Sequence, residues 1–421
     1  MEVVPRKRRP YSTLEKLEMK KTLVALAAVS AVSASFAQSS MSFTGLFDRG
    51  YLITSNSANT AAIKGLASAS GTTRFEVNGT EDLGGGMKAK FFIETDWNPL
   101  AGAAGTAGAG QFAGYQSGAA PATTIGATGG FANSESWLAF ETNNGTLKVG
   151  TPNNEIFIAV NTVGQAGFST GIGSIYSTNF SIFNGIGTGN GTGSGGVATF
   201  QKNDATTINA GARPIRQDNT VKFESATYNG FKFAYEMAQK NDYNNTTAAG
   251  AVTSKGNVGA SGYSLKYSNG PLNAVYAVIS YDVGNTGASQ VDPQLTVTKT
   301  LANQTQNNTY IAANYLVMPT LKVSLGQGTS KSSDGTTVNA TTLNWSATYT
   351  MGQTDLMYND AKKDDKTAIN QDQKMTGLGA NYNFSKMTYG YYRYDKINYS
   401  MNNTLPGSDQ TRNAIGFAVK F

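Results

Sequence analysis

From about residue 41 onwards, apolar and polar residues alternate along the chain in segments of about ten residues. In the segment 72–80, Phe75 and Val77 fall on one face of an extended chain, and Arg74 and Glu76 fall on the other. A period of two residues is typical of a β-strand with one apolar and one polar face. The pattern predicts about sixteen strands, over residues 41–53, 72–80, 86–96, 134–141, 145–151, 218–227, 230–239, 259–268, 271–282, 307–317, 319–330, 340–350, 352–362, 374–384, 386–397 and 411–421.

Short turns and long loops alternate between these strands. Asn-Gly pairs at 144–145, 229–230 and 269–270 are a strong signal for hairpins. Two connections are much longer: 98–133 is a low-complexity stretch of Ala and Gly, and 152–217 is the longest strand-free segment. Short turns at one end and long loops at the other are how outer-membrane barrels are built.

Composition limits which functions and which membrane-spanning structures the chain can have. The sequence contains no Cys and no His, which excludes Ser-His-Asp triads and His-ligated zinc but not carboxylate-only or Lys-based enzymes. We expect no enzyme, no metal site and no cofactor. After residue 37, no apolar run reaches the length of about 20 residues that a transmembrane helix needs. A chain without such helices can cross a membrane as a closed barrel, because its strands then satisfy every backbone N–H and C=O. We therefore predict an all-β fold, a transmembrane antiparallel β-barrel with an aqueous lumen.

The N-terminal region, residues 1–37, ends in the layout of a secretory signal peptide. Two lysines precede an apolar stretch rich in Ala and Val, and small residues follow at Ser35 and Ala37. The basic stretch in front of the lysines does not fit this layout, so we interpret Met19 as the true start. We expect the whole region to be removed on export, which leaves a single barrel domain over 38–421.

The charge balance changes once this region is set aside. It holds seven of the 33 basic residues and three of the 27 acidic ones, so the formal charge falls from +6 to +2. A nearly neutral chain lacks the excess of basic residues that binds the phosphate backbone of nucleic acids. We therefore predict no nucleic-acid partner.

Three segments resemble the general porins of β-proteobacteria and Neisseria. Residues 42–48 are similar to the first strand of these porins, 74–89 to their second hairpin, and 216–223 to the segment after their constriction loop. The most specific of these matches is the sequence Gly-Thr-Glu-Asp-Leu-Gly-Gly-Gly in the hairpin. The resemblance covers the mature chain from end to end.

This resemblance implies a homotrimeric, water-filled channel in the outer membrane of a Gram-negative bacterium, with a third external loop folded into the lumen. That loop is 152–217 in this sequence. The implied partners are outer-membrane lipid, lipopolysaccharide and the assembly machinery of that membrane. Two features depart from the family pattern: Thr151 follows Gly150 where members often have a basic residue, and the insertion 98–133 is long and repetitive. Both concern the narrowest part of the channel and leave the predicted fold unchanged.

The last segment, 411–421, carries Ile415, Phe417, Val419 and Phe421 on one face. A strand that closes a barrel turns such a face toward lipid. A terminal Phe on this strand is similar to the signal by which the outer-membrane assembly machinery recognises its clients. Phe417, Val419 and Phe421 are therefore the candidate assembly signal.

Charged residues out of phase with the apolar face are the candidates for lining or narrowing the pore. If Phe75, Val77, Val221 and Phe223 face lipid, their neighbours along each strand face water. The candidates are Asp48, Arg74, Glu76, Lys88, Lys90, Glu94, Lys148, Lys222, Glu224 and Lys232, with Asp96 and Glu236 beside them.

Four of the basic candidates lie on strands that flank the predicted constriction loop 152–217, namely Arg74, Lys90, Lys148 and Lys222. The loop itself is nearly uncharged. Fixed positive charge in a narrow, water-filled space raises the local concentration of anions. We therefore expect a slight preference for anions.

Aromatic residues near the predicted strand ends have two interpretations. They could form the girdles at the two membrane interfaces, or they could pack across neighbouring strands. The residues concerned are Trp97, Trp137, Tyr389, Tyr391 and Tyr392.

Two functional hypotheses follow, beside an outer-membrane enzyme on a barrel scaffold, which the absence of His disfavours. The first is a general diffusion channel that passes small hydrophilic solutes and ions across the outer membrane. The alternative is an outer-membrane adhesin or receptor barrel that binds partners through its external loops, although the loop 98–133 has few charged or aromatic residues to anchor a partner. Channel formation in planar bilayers distinguishes the two.

Overall fold

The computed structural model describes most of the predicted barrel and the start of its longest loop. It covers residues 39–56, 62–96, 134–177, 180, 182–183, 185–187, 199–201, 215–217, 219–238, 243–246, 252–256, 258–283, 289–291, 298–300, 304–335, 338–367, 371–401 and 409–421. The predicted signal peptide and the whole insertion 98–133 lie outside the described residues.

Within the described ranges, sixteen strands pair in antiparallel fashion into a closed barrel. They are β1 (Ser40–Asn56), β2 (Arg74–Gly84), β3 (Met87–Asp96), β4 (Ser136–Thr142), β5 (Gly145–Thr151), β6 (Thr220–Ser225), β7 (Phe231–Ala238), β8 (Val258–Asn269), β9 (Leu272–Val283), β10 (Gln304–Met318), β11 (Leu321–Ser332), β12 (Asn339–Met351), β13 (Thr354–Asp365), β14 (Gln371–Asn383), β15 (Thr388–Met401) and β16 (Gln410–Lys420). Every predicted strand is present, and the predicted fold is confirmed.

The barrel closes where β16 returns to β1. This pairing runs from Leu46 opposite Lys420 to Asn56 opposite Gln410. The other edge of β1 pairs with β2 in its first half and with a short strand, Ile63–Ala67, in its second half. Both edges of β1 are thus hydrogen-bonded, as a membrane-spanning sheet requires.

The outer surface of the barrel is apolar, and the short turns lie at one end of it. Leu138 and Ile415, for example, are 68% and 67% exposed on this outer surface, as expected of side chains in contact with lipid. In the turn between β6 and β7, Asn229 and Gly230 both have positive φ, 49° and 86°. Two successive residues with positive φ are the requirement of the tight hairpin turn that Asn-Gly favours.

The loop after β5 passes into the barrel. It begins with a short helix, α1 (Glu155–Ala159), which continues as a π-helical turn, Val160–Gly164. Asn154 caps α1, because its Oδ1 accepts a hydrogen bond of 2.8 Å from the backbone N–H of Phe157. Among the described residues, no helix is long and apolar enough to cross a bilayer.

This loop packs on the inner wall of the barrel through a buried apolar cluster. The loop contributes Ile156, Val160, Val163, Ile175, Tyr176, Phe180, Ile182 and Phe183. The inner faces of β7 to β10 and of β13 to β15 contribute Ala238, Ala260, Val275, Ala277, Ile279, Tyr281, Tyr310, Ala312, Ala361, Met375 and Ile397. The loop therefore packs against the inner faces of β7 to β10 and β13 to β15, and most of the predicted charged residues lie on β2 to β6 beside this core.

Candidate functional site

Charged side chains of neighbouring strands lie at the same height on the inner wall. Lys90 is directly opposite Ala139, Ala139 is opposite Lys148, Lys148 is opposite Lys222, and Lys222 is opposite Glu236. Directly opposite residues of an antiparallel pair project to the same side of a sheet. This register forms one continuous inward-facing row from β3 to β7.

The structure places the other strand candidates on the same inner face. The same inner face extends from β1 to β8, because further residues of neighbouring strands are directly opposite each other. These are Leu46 and Arg74, Glu76 and Glu94, and Lys232 and Lys266. The sequence-predicted residues on the inner face are Asp48, Arg74, Glu76, Lys88, Lys90, Glu94, Asp96, Lys148, Lys222, Glu224, Lys232 and Glu236.

Near the short turns, two carboxylates each form ion pairs with two lysines. Glu141 is paired with Lys90 and, at 3.8 Å, with Lys88. On the neighbouring strands, Glu224 accepts from Lys148 at 2.6 Å and from Lys232 at 2.8 Å. These four lysines and two glutamates, termed the lysine patch, carry a formal excess of two positive charges.

Nearer to the long loops, carboxylates are as prominent as cations. Arg74 lies 2.5 Å from Glu76 and 3.5 Å from Glu94, and Asp96 is directly opposite Arg74. All of these pairs are partly exposed to water, where an ion pair contributes about 0–1 kcal/mol to stability. They therefore shape the field in the lumen more than they stabilise the fold.

A different kind of ion pair holds the base of the loop. Lys222 and Glu155 have no exposed side-chain surface, and their charged groups are 2.5 Å apart. Lys266 lies 2.7 Å from the other oxygen of Glu155, which also accepts from the Ser264 hydroxyl at 2.5 Å. We term Glu155, Lys222 and Lys266 the loop anchor.

The loop anchor keeps Glu155 ionised. Burial alone would raise the pKa of this carboxyl group in the loop helix, but Lys222 and Lys266 outweigh burial and lower the pKa to about 2. The backbone N–H of Glu155 also donates to Glu236 at 3.0 Å, and the Lys222 ammonium donates to the carbonyl of Asn153 at 2.7 Å. Both backbone and side chain of the loop are thereby tied to β6, β7 and β8.

The far part of the loop is held by the opposite wall. The backbone N–H of Gly173 donates to Asp395 at 2.9 Å, and its carbonyl accepts from the Asn359 side chain at 2.9 Å. Arg412 forms an ion pair of 2.5 Å with the same Asp395. Gly377 allows this approach, since a Cβ there would lie 2.6 Å from the carbonyl oxygen of Gly173.

Asp48 was predicted as a charged pore-lining residue, and its carboxylate is instead fully buried. It accepts hydrogen bonds from the backbone N–H groups of Ser70 and Gly71, at 2.7 and 2.9 Å, and from the Tyr391 hydroxyl at 2.5 Å. The reason is that residues 68–73 fold inwards over it. Asp48 thus fixes this connection between β1 and β2.

Several aromatic side chains do not point where a membrane girdle requires. Trp137, Tyr389 and Tyr391 share the inward phase of their strands, whereas Tyr392 is exposed on the outer surface. Trp97 lies outside the described residues. The girdle interpretation is therefore wrong for the three inward-facing residues.

Sequence reasoning did not identify the residues that hold the loop in place. The loop was described as nearly uncharged, and Glu155, Lys266 and Glu141 were not singled out. The alternation of β8 predicts the inward direction of Lys266. Its partner comes from a segment without regular alternation, so the contact itself left no signal in the sequence.

Comparisons with known proteins agree with this architecture. Residues 22–402 match the family described as Gram-negative porin. Outer membrane porin protein 32 of Delftia acidovorans is 43% identical over 77 residues, which is 18% of this chain and 22% of that protein. An outer membrane porin of Bordetella pertussis is 28% identical over 298 residues, 66% of this chain and 63% of that protein. The matches therefore span less than two thirds of either relative.

Solved structures show the same fold. The anion-selective porin from Comamonas acidovorans superposes with a TM-score of 0.66 at 20% identity, covering 91% of this chain and all of that chain. OmpT of Vibrio cholerae, solved in a trimer form, superposes with a TM-score of 0.56 at 12% identity, covering 91% of this chain and 99% of that chain. Together with the family match, the closed barrel shows that this chain belongs to the Gram-negative porin family, as a multi-pass β-barrel of the outer membrane.

Proposed function

We propose that the protein is a general diffusion porin, through which small hydrophilic solutes and ions cross the outer membrane passively. One observation carries this proposal: the sixteen-stranded barrel has a charged, partly exposed inner wall beside the packed loop. Barrels of 16–18 strands are wide enough for an aqueous channel. Such transport depends on the width of the channel and the charges that line it, and it needs no catalytic group.

The loop 152–217 is the element that narrows this channel in our proposal. Its described part is held at two points, at Glu155 by the loop anchor and at Gly173 by Asp395, and this supports a loop that stays fixed within the channel. In the part of the loop that the structure describes, the exposed residues Thr162, Gly167 and Ser169 carry no charge. A solute at this level would therefore pass between a neutral loop and a charged wall.

The assembly state and export route complete the proposal. We propose a homotrimer, with support from the OmpT neighbour that was solved in a trimer form. Export would use the signal peptide within residues 1–37. Insertion would use the assembly machinery, and the finished barrel would contact outer-membrane lipid and lipopolysaccharide.

The lysine patch supports a weak preference for anions. Arg74 and Lys222 contribute little to this preference for anions, since nearby carboxylates balance both charges. Lys88 and Lys232 are the more exposed lysines of the patch, at 43% and 36%. The Comamonas acidovorans neighbour is named an anion-selective porin, which supports the same preference for anions.

Replacing Lys88 and Lys232 together with Gln should shift the reversal potential toward cation preference. We expect the anion-to-cation permeability ratio to fall by roughly twofold in 0.1 M salt, because two fixed positive charges leave the lumen. The shift should shrink in 1 M salt, where the Debye length is about 3 Å. Reversal potentials across planar bilayers under a salt gradient measure it.

The matched control is Lys396→Gln, since Lys396 faces outwards on β15. An equal shift of the reversal potential in the Lys396 variant and in the Lys88 and Lys232 variant would show that the lysine patch is not the source of selectivity. The absence of any channel in the unmodified protein would favour the adhesin or receptor hypothesis instead.

A further inference from the structure

An aromatic pair lies on the charged inner wall. Phe92 on β3 and Trp137 on β4 are directly opposite each other, and their rings are stacked with centroids 5.6 Å apart and an interplanar angle of 19°. Both side chains are half-buried, so part of each is accessible. Apolar surface left open on a polar wall is unusual, because the rings would be better shielded from water in the loop core or on the lipid face.

The tryptophan is held in a fixed orientation. Its indole N–H donates to Glu135 at 2.8 Å, and Glu135 also accepts from the Asn153 backbone at 3.2 Å, at the start of the loop. The ammonium group of Lys148 lies 4.8 Å from the indole ring centroid. A cation at this distance is attracted to the electron-rich ring face. The ring is thus oriented before any solute arrives.

The lysine patch begins directly beside this pair. Lys90 precedes Phe92 by two residues on β3, which is about 7 Å along a strand. Each lysine ammonium has three donors, and the patch provides two glutamates for four lysines. Donors of Lys90 and Lys148 therefore remain for a further anionic group.

We propose that Phe92, Trp137, Lys90 and Lys148 form a binding site for aromatic carboxylates that pass through the channel. The flat ring lies against the exposed edge of the aromatic pair, and its carboxylate is bound by the two lysines on the side of the short turns. A small aliphatic anion gains the charge interaction alone, and a neutral aromatic alcohol gains the ring contact alone. This inference rests on the proposed function, since the site is on the path of solutes.

Benzoate block of chloride current through single channels in planar bilayers tests this site. We expect benzoate to reduce the current at concentrations at least about fivefold lower than those of acetate or benzyl alcohol, because the edge contact with the aromatic pair and charge pairing act together. Trp137→Leu should raise the half-blocking concentration of benzoate by about fivefold or more, while Trp137→Phe keeps it within about twofold. Trp345→Leu, on the lipid-facing surface, is the matched control and should leave block unchanged.

Lys148→Gln provides an independent variant in case Trp137→Leu does not form channels. It should weaken block by benzoate while leaving block by benzyl alcohol unchanged. Equal block by benzoate and acetate in the unmodified channel, or full benzoate block in Lys148→Gln, would overturn the site and leave the diffusion channel intact. If the unmodified protein forms no channels, it is the proposed function that fails.

Discussion

Replacing Glu155 with Gln is expected to destabilise the protein by about 3 kcal/mol, because it removes one partner of a fully buried ion pair. The Lys222 ammonium would remain without exposed surface, with Glu224 and Glu236 at 3.8 Å as its nearest remaining carboxylates. Urea unfolding of the reconstituted protein, followed by the fraction that keeps the folded mobility on gels, measures the loss.

Glu141→Gln is the matched control, since it breaks an ion pair on the same wall whose side chains are 28% and 29% exposed. We expect a loss below about 1 kcal/mol there. The double variant Glu155→Gln with Lys222→Met should recover part of the stability, because the buried Lys222 ammonium is then no longer present without Glu155. Equal stability of the Glu155 and Glu141 variants would show that the loop anchor does not hold the loop.

Phe421→Asp is expected to reduce the amount of folded barrel in the outer membrane by about tenfold or more. Phe421 exchanges two backbone hydrogen bonds with Gly45, of 3.0 and 3.3 Å, where β16 meets β1. Its ring covers Gly45 so closely that a Cβ on that glycine would lie 2.5 Å from it. A carboxylate on this outward-facing surface is unfavourable near lipid, and it removes the aromatic group that we propose as part of the assembly signal.

The amount of folded barrel can be measured in outer-membrane fractions, as the protein that changes its mobility on gels after heating. Phe421→Tyr should assemble normally, because it keeps the aromatic ring. Lys420→Gln is the control for position, since Lys420 projects to the inner side at the same end of β16. Normal assembly of Phe421→Asp would exclude Phe421 as part of the signal.

The strands could be predicted because their side chains alternate between lipid and the barrel interior, and this alternation is visible in single segments such as 72–80. The ends of the strands were harder to predict from the sequence. The first strand extends to Asn56 rather than 53, and β10 begins at Gln304 rather than 307. These extensions are polar on both faces, so hydrogen bonding to the neighbouring strand defines them rather than alternation.

The inward direction of the charged residues followed from the same alternation, but their surroundings did not. Asp48 is buried because a connection folds over it, and Lys222 is buried because the loop helix lies on it. Both contacts join segments far apart in sequence that have no common pattern. Trp137 was ambiguous for a local reason: it alternates with Leu138, and either large side chain could have faced lipid.

In the proposed function, a water-filled path passes through the barrel beside the loop. Liposome swelling in solutions of uncharged sugars of increasing size tests it most directly, since it requires neither charge nor a bound ligand. We predict that proteoliposomes swell in small sugars, at rates that fall steadily with sugar size and do not saturate with concentration. If proteoliposomes with correctly folded protein do not swell in the smallest sugar, the barrel contains no such path.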